Sequence, residues 1–105
     1  MEYALAHVPG ATSPIQVVVV NIGLGGLQLR SRLPLPVAEK CSLAIISVEG
    51  SEIMIPVEAR YCDRAAGTDL YSVGMRFKPT SHEERLAIAG YVHEIFQRQC
   101  DLITG

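Results

Sequence analysis

Val17-Val18-Val19-Val20-Asn21-Ile22-Gly23-Leu24-Gly25-Gly26 is the stretch whose reading decides the fold. Four consecutive valines favour extended backbone, because branching at Cβ restricts χ1 and packs well on a pleated surface. The strand they form reaches back to Ile15. Asn21 then tolerates left-handed backbone, and three glycines within four positions let the chain turn sharply. Such a turn leaves backbone N–H groups uncovered and can cradle an anion. Asn and Gly clusters are also ordinary hairpin turns, most of which bind nothing.

Leu27-Gln28-Leu29-Arg30, on the far side of the turn, alternates apolar and polar with the period of a half-buried strand. That excludes a dinucleotide-binding unit, in which a hydrophobic strand also runs into glycines. The third glycine of G-x-G-x-x-G would fall at position 28, which is Gln28, and Leu33-Pro34-Leu35-Pro36 interrupts any following helix. The acidic residue near Glu39 has no second strand before it.

Outward from this hairpin, Tyr3–Val8 is a weaker strand, broken by Pro9 to Pro14. Ser42–Val48 and Glu52–Cys62 form a hairpin through Glu49-Gly50-Ser51. In the return strand Ile53, Ile55, Val57 and Ala59 share one face, opposite Glu52, Glu58 and Arg60, and Pro56 predicts an edge or a bulge. Tyr71–Phe77 is the last strand. A helix then starts at Thr80 or Ser81, either of which can cap it with Glu83 or Glu84 three residues on. Leu86, Ala89, Val92, Ile95 and Phe96 fall on one helical face. Strands followed by one helix, with no crossover helix between them, predict a mainly β protein: a six-stranded antiparallel barrel over about 3–78 with a C-terminal helix over about 81–100. The whole of 1–105 reads as one domain.

Composition narrows function. The net charge of −2 argues against DNA or RNA binding through charge, and only four Tyr and two Phe are available to stack on bases. No apolar run approaches the ~20 residues of a membrane-spanning helix, and the first residues lack the pattern of a signal peptide. Cys41, Cys62 and Cys100 are odd in number and show no C-x-x-C spacing, so a reduced, cytoplasmic setting without structural zinc is expected. His7, His82 and His93 share no metal-ligand spacing. No Ser/His/Asp grouping suggests a triad, Glu83 and Glu84 are explained by capping, and Cys62 beside Arg60 and Arg64 reads as an ordinary thiol near a strand end. No enzyme activity, metal or cofactor is expected.

The turn reads Asn-x-Gly-x-x-Gly and joins a valine strand to the Leu-Gln-Leu-Arg strand. This resembles the PilZ family, whose signature there is Asp/Asn-x-Ser-x-x-Gly. Val73-Gly74-Met75-Arg76-Phe77 is similar to the family's V-G-V-x-F closing strand, and the helix from Ser81 to Gln99 to its C-terminal helix. The resemblance implies a six-stranded barrel and a bacterial receptor for cyclic di-GMP, with Asn21, Gly23 and Gly26 as candidate ligand residues; Arg30, or Arg32, near the turn is a further candidate.

The chain departs from the family in two respects. The family's Arg-x-x-x-Arg segment before the first strand has no counterpart, since no arginine precedes Arg30, and Gly23 replaces the signature serine. A lost hydroxyl costs roughly 0.5–1.5 kcal/mol and each lost charge-assisted contact roughly 1.5–3 kcal/mol, together several orders of magnitude in affinity. Two readings follow. Either the chain is a degenerate member that works through a protein partner or neighbouring domain, or the arginines stand upstream of Met1 in a longer protein. On the first, Phe96, Leu102 and Ile103 are the candidate contact residues.

Overall fold

The computed structural model describes residues 2–46 and 50–104. Six strands precede one helix: β1 (Glu2–His7), β2 (Ile15–Ile22), β3 (Gly26–Ser31), β4 (Lys40–Ile46), β5 (Glu52–Arg64), β6 (Tyr71–Phe77) and α1 (His82–Thr104). The strands close into a barrel in the order β1-β2-β3-β6-β5-β4, and every neighbouring pair is antiparallel. Fold class and element order are those expected. Ser47, Val48 and Glu49, assigned to the fourth strand and its turn, lie outside the described residues. Gly50, with φ 87°, supplies the left-handed backbone that the connection to β5 requires.

Alternation along the strands fills the interior. Val17, Val19, Leu27, Leu29, Leu43, Ile45, Ile55, Val57, Ala59, Val73 and Met75 are buried together, joined by Leu35 from the proline-rich link between β3 and β4. Pro56 stands on a local edge, as expected: β5 pairs with β4 there, and its pairing with β6 begins only at Val57. Pro56 pairs with Ser42, and its carbonyl accepts the Lys78 N–H at 2.9 Å. Its N–H-less nitrogen therefore faces the point where β6 ends and no ladder donor is needed.

α1 lies across the barrel end where β2 hands over to β3. Ser81 is the cap, its Oγ accepting the Glu84 N–H at 3.1 Å. The Glu84 carboxylate reaches one residue further back than a capping box requires, accepting from Thr80 N–H at 2.7 Å and Thr80 Oγ1 at 2.6 Å. Those bonds hold its pKa below the ordinary 4.5.

The buried face of α1 is Ile88, Tyr91, Val92 and Ile95. Leu86, Ala89 and Phe96, expected on that face, are exposed. Apolar residues surround more than half of this helix, so periodicity alone did not fix which side meets the barrel. Tyr91 is the largest wholly buried side chain, and burial pushes its phenol up to about 12. Further along, the Arg98 guanidinium donates to Glu2 of β1 and to Glu94, binding the second half of α1 to the first strand.

Candidate ligand cleft

Two bulges build the site. On β2 the register with β3 slips between Val19 and Asn21. Strict alternation would turn Asn21 inward, whereas the bulge leaves Val20 and Asn21 both on the outer surface and returns Ile22 to the core. On β5 the register with β6 slips between Ala59 and Tyr61, so Arg60 and Tyr61 both face outward. Between them lie β3 and β6. Successive pairings Asn21↔Gln28, Gln28↔Gly74 and Gly74↔Tyr61 run straight across the floor. The result is a surface cleft of about 620 Å³ whose polar lining groups are Asn21, Gln28, Arg60 and Tyr61, with Gly23, Gly26 and Gly74 beneath.

The glycines serve different ends. A Cβ on Gly26 would stand 2.0 Å from the Met75 carbonyl oxygen, so only glycine lets β3 and β6 meet there. At Gly74 a Cβ would stand 2.1 Å from Tyr61 Cε2, because the phenol ring lies over this bare stretch of backbone. Gly23 has no such constraint: its backbone is not left-handed, and a Cβ would meet nothing closer than Gly26 O at 3.9 Å. The turn is also less open than the sequence suggests. The Gly23 N–H donates to Gly26 O at 2.8 Å, and Gly25 O accepts Phe77 N–H at 3.0 Å.

Within the cleft, Gln28 Nε2 donates to Tyr61 Oη at 3.2 Å and to Ser72 Oγ at 3.1 Å. The Arg30 guanidinium donates to the same Ser72 hydroxyl. Arg30 thus belongs to the neighbouring row Val18–Arg30–Ser72–Asp63 and does not line the cleft. Asn21, Gly23 and Gly26 all line the cleft. The cleft's cation is Arg60, exposed and without an ion-pair partner among the described residues. Sequence reading passed over Arg60, Tyr61, Gln28 and Gly74 as site residues, because pairing across three strands assembles them.

Arg64, flanking Cys62, is held by Asp69 at 3.2 Å. Among the described residues no three His, Cys, Asp or Glu side chains converge to hold a metal. No helix of the described residues is long and apolar enough to cross a membrane. Of the three predicted contact residues, Phe96 is exposed on α1, whereas the side chains of Leu102 and Ile103 lie outside the described residues.

The chain is thus a closed antiparallel barrel with a terminal helix across one end and a polar cleft at its hairpin turn. The model of the PilZ domain matches residues 4–94, and the chain belongs to that family. No curated protein and no solved structure gives a significant match.

Proposed function

We propose that this chain is a non-enzymatic regulatory module of bacterial cyclic di-GMP signalling, acting in the cytoplasm, whose cleft by itself holds the nucleotide weakly or not at all. The observation that carries this reading is the cleft's cation count. Arg60 is its one lining arginine, and Arg30 lies in the next row with its guanidinium donating to Ser72. A bis-phosphate ligand with guanine edges calls for converging guanidinium groups, each able to grip an anion through two parallel N–H bonds.

What remains fits half of such a ligand. Asn21 and Gln28 offer amide donors and acceptors, Arg60 a positive charge, and Tyr61 an aromatic face. Gly23 leaves open space where a serine hydroxyl would reach a phosphate oxygen. Isothermal titration of the chain with cyclic di-GMP tests the proposal. Heats too weak to fit, or a Kd well above the micromolar range, support it; low-micromolar binding or tighter overturns it.

A second reading is a protein-interaction module that keeps the fold without the nucleotide site. It is favoured by the apolar side chains that α1 leaves exposed, Leu86 and Phe96.

A further inference from the structure

The glycine turn has a second side. Opposite the cleft, Leu24 and Gly25 form one wall of a groove of about 570 Å³ whose floor and other wall come from the barrel end and α1. Phe77, Pro79, Ile88 and Val92 make its base, and Ala89 and Phe96 its exposed helical side. Leu24 is 86% exposed at the tip of the turn. The small Ala89 between Arg85 and His93 keeps the groove concave.

Charge distinguishes this apolar surface from a bare one. Arg85 and His93 line the groove and no carboxylate of the described residues does, in a chain whose acidic residues outnumber its lysines and arginines 11 to 9. Arg85 has no ion-pair partner among the described residues. The two residues stand eight apart on α1, about 12 Å along its axis, with apolar surface between. A flat bilayer does not enter a concave groove, and an apolar floor gives a nucleotide no hydrogen bonds.

We propose that this groove docks an acidic amphipathic helix of a protein partner, its apolar side against Phe77, Val92 and Phe96 and its carboxylates toward Arg85 and His93. This is the helix-in-groove mode of recognition, with charge fixing partner and direction. The proposal rests on the interaction reading above and is independent of whether the cleft binds nucleotide.

The test uses the full chain, ¹⁵N-labelled, titrated with a designed amphipathic helix of about four turns bearing Leu on one side and Glu on the other. A counterpart carries Lys for every Glu. The acidic peptide is expected to shift the amides of Leu24, Gly25, Ala89 and His93, to leave Gly74 and Tyr61 in place, and to bind at least about tenfold more tightly than the Lys peptide. Arg85→Glu should reverse that preference, and Ala89→Trp should abolish binding by filling the groove from an exposed position. Equal binding of the two peptides, or shifts away from the groove, would overturn the proposal. So would a self-association seen by sedimentation and removed by Ala89→Trp, which would assign the groove to a second copy. Arg85→Glu should leave the cyclic di-GMP titration unchanged, which separates failure here from failure of the nucleotide reading.

Discussion

The two sides of the Asn21–Gly26 turn are built by different means. On the cleft side the shape is set by backbone: two bulges, and the contact of Gly26 with the Met75 carbonyl. On the groove side it is set by side chains projecting from α1 and from the turn's tip. A backbone-built cleft keeps its shape whatever side chains line it. A groove built from exposed side chains can change without disturbing the fold. The difference also divides the signature itself. Gly26 reports on the fold, because β3 and β6 demand it. Gly23 sits where a side chain is free, so the fold does not require glycine there.

Substitutions can break this comparison. The largest expected effect is Gly26→Ala, whose methyl would overlap backbone that cannot swing away. We expect a loss of about 3 kcal/mol, the upper end of overpacking costs, measured by urea unfolding. A loss below about 1 kcal/mol would mean that the closure tolerates a side chain. On the helix side the corresponding support is Tyr91. Its phenol, at about 12 against an ordinary 10.0, is neutral in the fold while the unfolded chain ionises. Stability is therefore level with respect to this group below pH 10 and falls as pH rises toward 12, by a total of about 3 kcal/mol. Tyr91→Phe should remove this alkaline slope and cost little at neutral pH, since the hydroxyl has no hydrogen-bond partner among the described groups. An unchanged slope would show that another group titrates there.

Gly74→Ala meets a half-exposed ring and not backbone, so about 1 kcal/mol is expected. Tyr61 should move off the cleft floor and weaken its bond with Gln28, visible as a change in tyrosine fluorescence. The smallest effect on stability is reserved for Gly23→Ser. Unfolding should shift by less than about 0.5 kcal/mol, while any affinity for cyclic di-GMP rises up to about tenfold through one added hydrogen bond. A marked destabilisation would remove the distinction between the two glycines.

Much of the fold was legible in the sequence because each strand carries its own evidence: valines in β2, alternation in β3, Gly50 between β4 and β5. The start of α1 was equally local, and the structure chooses Ser81 with Glu84 among the pairs available. What was not legible depends on partners distant in the chain. The buried side of α1 is decided by where the barrel end lies, which favoured Ile88 and Tyr91 over Leu86 and Phe96. Arg60 and Tyr61 reach the cleft only because a bulge turns two neighbours outward, and no residue type announces that bulge. Pro56 marks a local edge as its missing N–H predicts, but which neighbour is absent there, β6, is set by distant pairing. Arg30, near the turn along the strand, lies in the row beside the cleft.

Closure of the barrel carries a consequence for recognition. β1 pairs with β2 on one side and β4 on the other, so neither end of the sheet offers a free row of N–H and C=O groups. Along its closed rows an incoming strand has nothing to extend, and only short stretches such as Glu52–Ile55, paired with β4 alone, leave room for β-augmentation. Partners must be told apart by shape and side-chain chemistry. The same closure denies amyloid-like stacking a template, which leaves the chain free to display apolar residues such as Leu24 and Phe96 without inviting its own strands to pair.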